Sequence, residues 1–176
     1  MPPSIIIVSA TLLAILSVVI AYTDTRYRRI PNKLVVAALI CGLSVNTIFG
    51  GAWGLLLSFG GFALAFAITL LFHSFGVLGA GDVKLFGAVG SIVGVSLVLP
   101  TLVAVVLVGG VMAFGKMVYT RTTRTTLLNI AQFFVGRMSG MGATQFGVAT
   151  ADRSRTIPYG VAICVGSLIS LLVFRA

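Results

Sequence analysis

Glutamate is absent from this 176-residue sequence, and only Asp24, Asp82 and Asp152 carry negative charge. Charged residues of both signs make up 9% of the chain, against roughly a quarter in soluble domains. Hydrophobic residues make up 59%. So short a chain has too little interior to hide that much apolar surface, which excludes a soluble globule. The same numbers exclude disorder, which needs low hydrophobicity and high charge. Cysteine is scarce as well: Cys41 and Cys164 both lie in apolar runs with no Cys or His at ligand spacing. They read as small core hydrophobes and imply neither a metal site nor an oxidising compartment. The one histidine, His73, closes an apolar run and reads as an interfacial residue. What remains is an all-α polytopic membrane protein, read as a single domain over 1–176.

A helix needs about 20 apolar residues to cross a bilayer, within a range of about 17–25. Six such spans are expected, at 4–22, 34–49, 55–75, 83–99, 102–119 and 157–174. Pro100 is expected to separate the fourth from the fifth, since proline breaks the helical ladder. No basic residue precedes the first run, which therefore reads as a helix of the mature protein. The formal charge is +9, an excess that in a soluble protein would point to nucleic acid. Here the basic residues flank apolar runs. Arg26, Arg28, Arg29, Lys33, Lys84, Lys116, Arg121, Arg124, Arg137, Arg153 and Arg155 all fall on one side of a six-span arrangement, and Arg175 alone falls on the other. The positive-inside rule puts the eleven in the cytoplasm, against an anionic leaflet, and both termini outside. Membrane lipids are thus an expected partner and nucleic acid is not.

Between the fifth and sixth runs lies a cytoplasmic loop, 120–156. Leu127, Ile130, Ala131, Phe134 and Met138 recur there at helical spacing, which predicts an amphipathic helix lying in the interface.

Acids near a membrane interior are expensive and mark functional sites by default. Asp24 ends the first span and Asp82 opens the fourth, so both are expected at the cytoplasmic level. Asp82 is also a good helix N-cap by residue type. Its surroundings are Gly79-Ala80-Gly81-Asp82-Val83-Lys84-Leu85, in which two glycines at alternate positions allow close backbone packing. Asp24 is followed by Arg28-Arg29-Ile30-Pro31-Asn32, a basic turn that stops one span and launches the next.

Taken together and in this order, the two segments resemble the type IV prepilin peptidases, membrane aspartyl proteases with a Gly-x-Gly-Asp signature. The small size and minimal loops are most similar to the short members that serve Flp-type, tight-adherence pili. Ile157-Pro158-Tyr159-Gly160 is similar to the Pro-aromatic-Gly element that opens the family's last helix. The resemblance implies Asp24 and Asp82 as the catalytic pair, with Gly79, Gly81, Lys84, Arg29, Pro31, Asn32, Pro158 and Gly160 supporting them. It implies a prepilin substrate, cut in the bacterial inner membrane at the cytoplasmic face, between a short leader and an apolar helix. No metal or organic cofactor is expected. Longer relatives carry paired Cys-x-x-Cys motifs after the first span and methylate the new N-terminus. This chain has neither those cysteines nor a recognisable methyl-donor site.

Two close carboxylates cannot both ionise cheaply and share one proton. The ionised one takes a proton from the attacking water, while the protonated one polarises the scissile carbonyl. Helix dipoles predict that Asp82, at a helix N-terminus, is the ionised base and that Asp24, at a C-terminus, holds the proton. Three other readings stay open: a small proton-coupled transporter using the same acids as relays, a presenilin-type intramembrane protease, and a non-catalytic assembly subunit. Asp152, beside Arg153 and Arg155, reads as a solvated loop charge.

Overall fold

The computed structural model describes residues 3–27, 31–76, 78–119 and 159–175, and all of its elements are helical. They are α1 (Pro3–Tyr27), α2 (Asn32–Ser74), α3 (Ala80–Val93), a 3-10 turn (Val95–Leu97), α4 (Val98–Tyr119) and α5 (Tyr159–Arg175). The interfacial helix expected within 120–156 lies outside the described residues, as do Arg29 and Pro158. Residues 1–109 and 158–176 form one compact unit, which contains the whole of the site described below, and α4 from Gly110 onward belongs to a second.

Among the described residues, three helices are by length and composition able to cross a membrane: Ile5–Asp24 within α1, α2, and Val95–Tyr119. Tyr159–Phe174 is apolar but shorter. At 43 residues, α2 is far longer than one crossing needs, since each residue adds about 1.5 Å. Its backbone leaves helical geometry at Gly51, with φ 58° and ψ −148°, a left-handed conformation that suits glycine. A Cβ on Gly54 would strike the Asn46 carbonyl oxygen. On a straight helix, residues eight apart are about 12 Å apart along the axis, so the chain turns back on itself here. α2 is thus two arms, 32–50 and 52–74.

Both arms grip α3. Gly61 and Gly90 meet backbone to backbone, and a Cβ on Gly90 would sit 2.6 Å from that of Ala65. The Asn46 amide donates to the carbonyls of Gly42 (3.0 Å), Ser91 (2.9 Å) and Ile92 (3.3 Å). Ser58 reaches the same Ser91 carbonyl from the other arm, at 2.5 Å. Small residues that allow close approach, with polar side chains bonding across it, are the usual means of helix association where lipid removes the hydrophobic drive. As a result α3 is buried continuously from Leu85 to Gly94. Across the bundle, α1 packs against α5, and a Thr101–Ser170 hydroxyl pair at 3.0 Å ties α4 to α5. Large apolar side chains such as Ile7, Ile48, Trp53 and Val111 point outward. Among the described residues, apolar side chains thus fill the core and also cover much of the outer surface, while Ser58, Thr69, Ser91, Thr101, Ser167 and Ser170 are buried, as suits a protein solvated by lipid.

Two local expectations are corrected. Pro100 does not divide two helices. The break falls at Gly94, with φ 78°, and Pro100 sits in the first turn of α4, where a missing N–H costs no helical bond. Cys41 is not a core residue: it is exposed, and only Cys164 is buried.

Candidate active site

Asp24 lies in the last turn of α1, inside the helix, and its side chain is buried. Its Oδ2 accepts a hydrogen bond from the backbone N–H of Gly160, 3.0 Å away, at the start of α5. The first N–H groups of a helix have no partner within it and carry partial positive charge. The first aspartate is thus held by the N-terminus of the last helix. Only glycine fits there: a Cβ at 160 would stand 2.8 Å from Asp24 Oδ2 and 3.1 Å from Ile20 Cγ2.

Asp82 arrives from α3. The N-cap of that helix is Gly79, not Asp82, so the expectation from residue type is off by three positions. Asp82 is the third helical residue and its carboxylate reaches back to the Gly79 backbone N–H, the reciprocal half of a capping box. A Cβ on Gly79 would stand 3.0 Å from Asp82 Oδ2. The approach to Asp82 is held by His73, whose Nδ1–H donates to the Leu78 carbonyl at 2.7 Å across the α2–α3 link.

The two carboxylates come within electrostatic reach of each other. Asp82 stands ahead of Val83, where the apolar part of α3 begins. Burial, and then the negative charge of Asp24, push its carboxyl up to about 6, against the pull of the Gly79 N–H. The sequence reading places the resting proton on Asp24 instead. The dipole argument gave each aspartate only its own helix. In the fold, Asp24 also meets the positive end of α5.

Asp82 also lines a cavity of about 300 Å³, whose other walls include Thr69 of α2, Phe86 of α3, Leu102 and Val106 of α4, and Tyr159 and Ile163 of α5. Tyr159 lies within electrostatic reach of Asp82, and its ring rests on Gly109, where a Cβ would come within 3.0 Å of Cε2. Gly160 therefore holds Asp24 by its backbone, and Tyr159 beside it lines the same cavity as Asp82. The sequence analysis singled out Gly160 and passed over the tyrosine beside it.

The supporting residues divide. Lys84 Nζ donates to Asn32 Oδ1 at 3.3 Å, which joins the start of α2 to that of α3 and brings two of the expected positions together. Pro31 precedes α2 in extended geometry, and its carbonyl accepts the Leu34 N–H at 3.0 Å. Gly81 is half-buried in the first turn of α3.

The model of the type IV leader peptidase family matches residues 11–114, more than half of the chain and both aspartates with it. No curated protein and no solved structure matches the chain.

Proposed function

Because the chain belongs to the type IV leader peptidase family, and is on that ground a membrane protease, we propose that it removes the short leader of Flp-like prepilins at the cytoplasmic face of the bacterial inner membrane. Asp24 and Asp82 are its catalytic pair. The observation that carries this reading is the meeting of two carboxylates from separate helices, each with a backbone N–H donor, beside an apolar cavity.

In this mechanism one proton is shared by the pair and rests on Asp82, the carboxyl that burial and its neighbour's charge push upward. Asp24, held by the Gly160 N–H, is the base that takes a proton from water as it attacks the scissile carbonyl. The protonated Asp82 polarises that carbonyl and then supplies the departing amine. This reverses the roles that helix dipoles alone predict. Neither step calls on a metal or an organic cofactor, and methyl transfer is no part of the proposal.

The membrane arrangement follows the same reading. The two arms of α2 count as separate spans, α3 from Val83 onward with its 3-10 turn as a fourth, and α1, α4 and α5 complete six. At 14 residues, α3 is short for a bilayer, but it is walled by protein rather than lipid, which satisfies its ends. The decisive experiment is co-expression with a candidate prepilin. A size shift that disappears with Asp24→Ala and with Asp82→Ala supports the reading, and an unchanged shift in either variant refutes the pair.

A further inference from the structure

We propose that His73 is a positioning residue for the reaction, fixing through one peptide unit the backbone donor that holds Asp82. The inference rests on the peptidase reading and adds to it a residue outside the acid pair and its Gly-x-Gly-Asp segment. α2 ends at Ser74, and the chain turns at Gly76, where φ is 75° and the N–H donates to the His73 carbonyl at 2.8 Å. After that turn the Leu78 carbonyl meets His73 Nδ1 at 2.7 Å. A carbonyl only accepts, so the proton of this bond is on Nδ1. The helix that follows makes no use of the Leu78 carbonyl. α3 begins at Ala80, and it is the Gly79 carbonyl that accepts the Val83 N–H, at 3.2 Å.

The Leu78 carbonyl and the Gly79 N–H belong to the same peptide unit. Such a unit is planar and close to rigid, so a bond that fixes one end sets the direction of the other. The other end is the N–H that holds the Asp82 carboxylate. Hydrogen bonds in series also polarise one another, so donation from His73 strengthens donation to Asp82. Without His73 the peptide is free to turn its N–H away, and a carboxylate that loses a donor keeps its proton to higher pH. Among the described residues, the other ionisable groups around Asp82 are Asp24 from α1, Tyr159 from α5 and Lys84 on its own helix, the last bonded to Asn32. α4 brings only the aliphatic Leu102, Val105 and Val106 to its surroundings. A substitution at 73 leaves all of these in place.

The test uses the full-length protein in liposomes and the infrared carboxyl band that Asp82→Asn removes. His73→Phe keeps a ring and loses the donor. His73→Asn keeps an N–H donor in the place of Nδ1 but cannot take up a positive charge. The midpoint of the band is expected to rise by about half a pH unit or more in His73→Phe, the scale of one hydrogen bond, and to stay near the wild-type value in His73→Asn. The alkaline limb of kcat/KM for prepilin moves with it, since Asp82 acts in its protonated form. An unmoved midpoint in His73→Phe overturns the proposal, because a bond that only ties down the link leaves the carboxyl alone. An equal rise in both variants overturns it as well, since the cause is then the charge of an imidazolium. Should His73→Phe fail to insert, His73→Leu removes the same donor and must give the same rise. If cleavage depends on Asp24 and Asp82 but the midpoint is unmoved, the role of His73 alone fails. If the inserted wild type cuts no prepilin at all, the peptidase reading fails and the positioning role with it.

Discussion

Gly160 has no side chain to contribute, yet its position leaves no room for one. Gly160→Ala puts a methyl group 2.8 Å from Asp24 Oδ2, so either the carboxylate or the start of α5 must move. Cleavage is expected to fall at least about tenfold, since small misplacements at a reacting centre are costly, while membrane insertion is unchanged; initial rates with prepilin in liposomes provide the check. Asp24→Asn and Asp82→Asn each remove one half of an acid–base pair and should lower the rate by about 10²-fold or more, with Asp152→Asn close to wild type. The protonated carboxyl band in infrared spectra tests the placing of the proton. It is expected to titrate near pH 6 in the wild type and to disappear in Asp82→Asn. In Asp24→Asn it should titrate at lower pH, because the repelling charge is gone and burial alone still raises Asp82. Folding linkage has a definite sign here. With its folded pKa above the unfolded value of 3.8, Asp82 holds its proton longer when folded, so its contribution to stability is present at low pH and declines as pH rises toward 6. Asp82→Asn should flatten that decline in a thermal-stability series.

Among the elements, α3 depends most on its neighbours. Gly90→Ala drives a Cβ toward the Gly61 carbonyl and to 2.6 Å from Ala65, and overpacking of this kind costs about 1–3 kcal/mol. Asn46→Leu removes two donations to α3 carbonyls, each in the range of about 0.6–1.7 kcal/mol measured between membrane helices, and a third to Gly42 within its own arm. Both are expected to lower the denaturant midpoint in detergent, Gly90→Ala with the larger loss of cleavage because α3 carries Asp82. How far these elements could be read from sequence depends on the interaction. Apolar runs place α5 to within two residues, but stop five short of the end of α1 and begin four after the start of α4, and Gly-x-Gly-Asp marks the start of α3. The end of α3 was misjudged because Pro100 is the stronger sequence signal, but a proline in a first turn disturbs nothing and Gly94 makes the bend. The Asn46 network and the hydrogen bond from Gly160 to Asp24 join residues 45 and 136 positions apart, and no local pattern encodes such distances. The same limit hides the donor at Asp24, since the helix end that meets it lies 136 positions further along the chain.

For the whole molecule, the asymmetry of basic residues predicts its orientation in the membrane. Cysteines placed at Thr25, Ser74 and Thr144, in a background lacking Cys41 and Cys164, are expected to resist an impermeant reagent added from outside and to react once the membrane is opened. Labelling of any one of them from outside would refute both the six-span arrangement and the external termini. The link between α1 and α5 also gives the molecule a history. A ribosome makes Asp24 136 residues before Gly160, and in between the carboxylate lacks the donor that holds it in the finished bundle. On the peptidase reading, the acid pair is therefore expected to become competent only once α5 has joined the bundle.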